Sequence, residues 1–122
     1  MFDINGKTIT MTAGDTGAFR VRPKYHFNDG DRAQFTIKNG SGIVVLRRWY
    51  NLDSQTETFL VCFHGQDTRG LAPGNYRWDI RYYLTPYYDG AGTTNDHIID
   101  ADQILTPYKP QAFVLEEPVG SL

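Results

Sequence analysis

Little in this chain points to covalent or metal chemistry. A single cysteine, Cys62, stands among 122 residues, which excludes an intrachain disulfide framework and a cysteine-based zinc site. The three histidines, His26, His64 and His97, are isolated, with no His-x-His or His-x-x-x-His spacing to seat a metal. Formal net charge is only −2 and no basic or acidic run occurs, so the electrostatic footprint of a nucleic-acid binder is missing. No apolar run approaches the roughly 20 residues that span a bilayer, and no membrane insertion is expected. The chain opens Met-Phe-Asp-Ile-Asn-Gly-Lys, without a basic region followed by an apolar one, and no signal peptide is expected. No glycine-rich loop follows a strand and opens a helix, and no cofactor is expected. Convincing amphipathic helices are also lacking.

Aromatic residues and glycine are plentiful: 8 Tyr, 7 Phe, 2 Trp and 12 Gly, the usage of many short strands joined by tight turns. The clearest strand follows Leu71-Ala-Pro-Gly. Pro73 and Gly74 suit the central positions of a type II turn, where proline presets φ and glycine supplies a positive φ. Tyr76, Trp78, Ile80, Tyr82 and Leu84 then alternate with Arg77, Asp79, Arg81 and Tyr83. That period of two predicts a strand with one face in the core and a charged face in solvent. A tyrosine two residues past a Pro-Gly turn also suits the tyrosine corner of immunoglobulin-like sandwiches, with Tyr76 as the candidate; a plain core tyrosine is the simpler alternative.

Similar alternation predicts strands over Phe2 to Ile4, Lys7 to Thr12, Thr16 to Arg22, Arg32 to Lys38, Ile43 to Tyr50, Thr56 to His64, and Gln111 to Glu117. His97 to Ile99 reads as a short strand, and Asp100 to Pro110, with two prolines, is ambiguous. Turn signals every eight to twelve residues or so indicate an all-β sandwich or barrel. The expectation is a single immunoglobulin-like antiparallel β-sandwich of Greek-key type, with about seven to nine strands, over residues 1–117, and a tail at 118–122.

Candidate chemistry is sparse. Cys62 and His64 share a strand face, with Asp67 beyond, but residues two apart on a strand lie about 7 Å apart, too far for a thiol to reach its base. An ordinary strand with a buried thiol is the simpler reading, and no enzyme is expected. Asp29, Asp31, Asp89, Asp96, Asp100 and Asp102 offer oxygen ligands for calcium, but none follows the spaced acidic loop, and turn chemistry accounts for the Asp-Gly pairs. Trp49, Tyr50, Tyr83, Tyr87, Tyr88 and Tyr108 fall at strand ends, in loops or on the polar phase of strands. They form the candidate interface or ligand platform, since Tyr and Trp are enriched at protein interfaces and stack on sugar rings. Filling a second face or capping the sandwich ends is the bland alternative.

The segment Ile9-Thr10-Met11-Thr12-Ala13-Gly14-Asp15-Thr16-Gly17-Ala18-Phe19 resembles the start of a small β-sandwich domain of phage and prophage tail proteins. Gly30-Asp31-Arg32-Ala33-Gln34-Phe35-Thr36-Ile37-Lys38, then Asp67-Thr68 to Leu71, then Gly74-Asn75-Tyr76-Arg77-Trp78-Asp79-Ile80, and finally Phe113-Val114-Leu115-Glu116 continue the pattern. The family is the N-terminal immunoglobulin-like domain of phage baseplate upper proteins, with stand-alone versions in prophages. The resemblance implies a structural, non-enzymatic part of a phage tail that contacts other tail or baseplate proteins and forms a homo-oligomer. It also implies a virion location, with assembly in the bacterial cytoplasm. The alternative expectation is a carbohydrate-binding module that holds a glycan on its exposed aromatics.

Overall fold

The computed structural model describes residues 1–84 and 103–118, with side chains described on 1–84 and 110–118. The described chain is mostly β. Its strands in order are β1 (Phe2–Asn5), β2 (Thr8–Thr12), β3 (Gly17–Val21), β4 (Arg32–Lys38), β5 (Val44–Asn51), β6 (Phe59–Phe63), β7 (Gly74–Leu84) and β8 (Gln103–Glu116). One short helix, α1 (Gly65–Arg69), links β6 to β7. Six strands form a sheet in the order β1-β2-β8-β7-β4-β5, and β3 pairs with β6 in a second, two-stranded sheet.

The alternating residues turn their apolar phase into one core. Ile9 and Met11 of β2, Ala33, Phe35 and Ile37 of β4, and Trp78, Ile80 and Tyr82 of β7 are all buried on the inner face of the large sheet. Val21 of β3 and Phe59, Val61 and Phe63 of β6 are buried opposite them. Rings lock the two sheets together: Phe35 meets Phe63 edge-on at 5.6 Å, and Phe19 lies 5.7 Å from Trp78. Such offset and edge contacts stabilise beyond the burial of area alone. Phe27, between β3 and β4, is fully buried and packs edge-on against Tyr82 at 4.9 Å. No periodicity marked it, because it lies outside any strand.

Four expectations need correction. The large sheet is mixed rather than antiparallel, since β2 runs parallel to β8, with Ile9 opposite Phe113 and Met11 opposite Leu115. The last strand begins at Gln103 and takes in most of the stretch that read as ambiguous. Its pairing with β7 slips twice, between Trp78 and Ile80 and between Ile80 and Tyr82. Trp78 faces Gln111, Ile80 faces Tyr108 and Tyr82 faces Leu105, so Pro110 and Pro107 each fall where β8 carries an extra residue. Bulges are where a strand tolerates a residue that cannot donate. The third correction concerns Pro73-Gly74. Gly74 has φ +148° and is the first residue of β7, far from the value near +80° of a type II turn. The fourth is residues 65–69, which form the short helix α1 in a chain whose sequence pattern predicts no helix. The expected strand at His97 to Ile99 lies outside the described residues.

α1 is built by local polar chemistry and held by the fold. The Asp67 carboxylate accepts from the backbone N–H of His64 at 2.7 Å, capping the first turn. Thr68 is fully buried and its hydroxyl accepts from the Gly14 N–H at 2.9 Å, pinning α1 to the turn after β2. Gly65 makes that approach feasible, because a Cβ there would stand 2.7 Å from the Gly14 carbonyl oxygen. Gly65→Ala is expected to destabilise by about 1–3 kcal/mol in urea unfolding, the usual cost of overpacking against backbone.

Candidate functional site

The outer face of the large sheet gathers most of the charged residues of β4 and β7. Register places Arg32, Gln34, Thr36 and Lys38 of β4 opposite Tyr83, Arg81, Asp79 and Arg77 of β7. On the other side of β4, Trp49 and Arg47 of β5 stand beside Gln34 and Thr36. The outer face of these strands therefore carries five cations, Arg32, Lys38, Arg47, Arg77 and Arg81, around one carboxylate, Asp79. The whole chain is net negative, so this face differs in sign from the rest of the molecule.

Its upper part is an aromatic cluster. The Trp49 and Tyr83 rings meet at 5.0 Å over β4, tilted by 56°. The Arg32 guanidinium carbon lies 4.5 Å from the centre of the Trp49 ring, within cation–π range. Beneath them Gln34 is buried, and its side-chain carbonyl accepts from the Thr36 hydroxyl at 3.3 Å and weakly from the Tyr83 hydroxyl at 3.4 Å. Trp49 nonetheless remains 43% exposed. The result is a braced aromatic surface with positive charge around it, the composition of an interface anchor.

The other platform candidates divide. Tyr50 follows Trp49 on β5 and turns to the opposite face, where its ring packs 5.6 Å from Phe59 against the core. It is not part of the platform; adjacent residues of a strand cannot share a face. Burial pushes the Tyr50 phenol above its ordinary value of 10.0, against smaller opposing contributions from the Cys62 backbone and Arg48. The sign follows: an unfolded chain ionises first, so the neutral folded form loses stability as pH rises from 10 through the higher folded value. Alkaline unfolding is expected to steepen in that window, and Tyr50→Phe to flatten it in pH-jump fluorescence. Tyr87 and Tyr88 lie outside the described residues, and Tyr108 is placed only by its backbone, opposite Ile80.

The residues of β7 sit on both faces of the sheet. Trp78 is buried and its indole N–H donates to the Lys7 carbonyl at 3.0 Å, tying β7 to the hairpin of β1 and β2; Ile80 is fully buried. Tyr76 is half-buried, edge-on to Phe113 at 6.1 Å, and its hydroxyl donates to the Ala72 carbonyl four residues upstream at 2.5 Å. Tyr76→Phe is expected to cost about 1 kcal/mol, the net worth of a typical hydrogen bond, read by thermal melting. Pro73 and Gly74 are exposed beside it. Asp79 departs from the solvent phase expected for it: it is 8% exposed.

The remaining candidates serve the backbone. Both Asp67 oxygens are occupied, one by Arg48 Nη2 at 2.7 Å and the other by the His64 N–H. Asp31 is buried and accepts from the Asn28 N–H, and Asp29 accepts from the Ser54 N–H. Among the described residues no three His, Cys, Asp or Glu side chains gather as a metal site, and no helix is long and apolar enough to cross a membrane. No family model matches the chain, and no curated protein or solved structure matches it.

Proposed function

We propose that this chain is a non-enzymatic assembly module, an immunoglobulin-like Greek-key sandwich of the phage-tail type that its motifs resemble. It acts through protein–protein contacts made by the outer face of β5, β4 and β7. The observation that carries the reading is the exposed Trp49, braced by Tyr83 and Arg32 on a rigid sheet. A large aromatic held this way loses little conformational freedom on binding, which is what a hot spot needs. The sandwich part of the reading is supported by the chain path. β2 leads to the small sheet at β3, β4 and β5 return to the large one, β6 crosses again and β7 returns. The tyrosine corner is supported by the Tyr76 to Ala72 bond.

In this reading the partners are further copies of the chain and neighbouring tail or baseplate proteins, met in the bacterial cytoplasm where virions assemble. Light scattering on the purified protein, alone and co-expressed with tail proteins, tests it. A defined oligomer or a co-purifying tail component supports the assignment, and a strict monomer that captures neither counts against it. Trp49→Ala is expected to reduce association at least tenfold, about 1.4 kcal/mol or more, with thermal stability held within about 0.5 kcal/mol, the range of surface substitutions.

A further inference from the structure

β5 is the last strand of the large sheet, and β4 is its one neighbour among the described residues. It runs for eight residues without a proline. The other described strands with an open edge are shorter: β1 has four residues, and β3 and β6 have five each. A long edge is a template for a further strand, and proteins usually blunt one with proline, charge or a bulge. β5 has a bulge only near its start, where the pairing with β4 shifts between Ile37 and Lys38. What marks the rest of the edge is positive charge. Arg47 is exposed on the outer phase. Arg32 joins it from β4, because its guanidinium lies over the exposed Trp49 ring. Arg48, on the inner phase, is committed to Asp67 and to the Cys62 carbonyl.

We propose that β5 is a docking edge for an acidic extended segment of a partner protein, which joins the sheet as a further strand. Main-chain hydrogen bonds supply the pairing, and alternate side chains supply the choice of partner. An added strand stands about 4.8 Å from β5. Its outer-phase side chains then lie beside Arg47 and the Arg32–Trp49 pair, where guanidinium groups match carboxylates. Its inner-phase side chains lie beside Leu46 and Tyr50, which pack against the core, and there apolar groups fit. The segment is therefore one in which acidic and apolar residues alternate. Register follows, since a slip of one residue turns the carboxylates toward Leu46 and Tyr50. The same charge rejects a second copy at this edge. Two β5 strands paired antiparallel over most of their length, with their sheet faces continuous, set Arg47 opposite Arg47 or Arg48 opposite Arg48. Like charges directly opposite destabilise. The inference rests on the assembly reading, whose anchor Trp49 it shares, and names the chemistry of the partner.

The probe is an octapeptide with blocked ends in which glutamate alternates with valine, titrated into the protein and followed by backbone amide shifts. Saturable shifts along β5 and β4 are expected at millimolar peptide or below. The same peptide with lysine for glutamate is expected to bind at least about tenfold more weakly, as is one with its glutamates and valines in separate blocks. N-methylation of every second residue, in one phase or the other, removes the donors that face β5. One of the two methylated peptides is expected to lose binding at least about tenfold. Arg47→Glu, at an exposed position, is expected to abolish the preference for glutamate over lysine with the melting temperature unchanged. No saturable shift with the glutamate peptide would overturn the proposal. So would full binding by both methylated peptides, which reduces the contact to charge alone, or a preference that survives Arg47→Glu. A concentration-dependent dimer that the peptide displaces would seat a second copy on β5 and overturn it too. Capture of a tail component by protein that ignores the peptide leaves the assembly reading without this edge. A strict monomer that captures no tail component yet binds the peptide on β5 leaves the edge without that reading.

Discussion

Phe35→Ala is expected to cost about 3–5 kcal/mol of folding stability, the range for deleting a buried phenyl ring. Phe35 is 1% exposed on β4, which lies between β7 and β5 in the large sheet. Its ring contacts Phe19 at 6.0 Å, Phe63 at 5.6 Å and Trp78 at 5.8 Å, so it joins the small sheet to the large one. Truncation removes apolar contact and leaves a cavity between rings that are themselves held by backbone ladders and cannot collapse far. A domain of this size is stable by only about 5–15 kcal/mol. The variant is therefore expected to unfold at a much lower urea midpoint with an unchanged slope. A loss under 1 kcal/mol would contradict the placement of Phe35 as the hinge of the core.

The second large effect is expected at Asp67. Asp67→Ala removes the partner of Arg48 at 2.7 Å, in a pair whose side chains are 25% and 7% exposed, and removes the acceptor for the His64 N–H. Breaking a buried pair costs about 3–5 kcal/mol. Arg48 is partly solvated and keeps its bond to the Cys62 carbonyl at 3.3 Å, which lowers the figure toward about 2–3 kcal/mol. Loss of the helix cap adds about 1 kcal/mol. Asp67→Asn, which keeps an acceptor for the cap and loses the charge, is expected to fall between wild type and Asp67→Ala in chemical unfolding. If both substitutions cost the same, the ion pair alone carries the effect and the cap contributes nothing.

The legible parts of the fold are those set by neighbours along the chain. In β7, Trp78, Ile80 and Tyr82 face the core because consecutive side chains of a strand point to opposite sides. The same rule separates Trp49 from Tyr50, whose adjacency already forbids a shared platform. β8 was hard to read because Pro107 and Pro110 argue against a strand until the bulges that hold them are seen. Phe27 left no signal, since burial of a loop residue depends on the ring of Tyr82, far along the chain.

For the candidate site, the sequence marked Trp49 and Tyr83 as aromatics outside the core, yet nothing in it brought them together. They meet because β5 and β7 flank β4 in one sheet, which turns separate residues into a braced pair. Asp79 is the sharper case. Alternation alone puts it on the outer phase and predicts solvent around it. Its burial depends on which strands lie beside β7 in the sheet. Strand, turn and inward phase follow from backbone geometry and side-chain polarity over a few residues, and these the sequence determined by itself. Strand order, the parallel β2–β8 pairing and the surroundings of Asp79 rest on contacts between distant segments, and those only the tertiary structure decided.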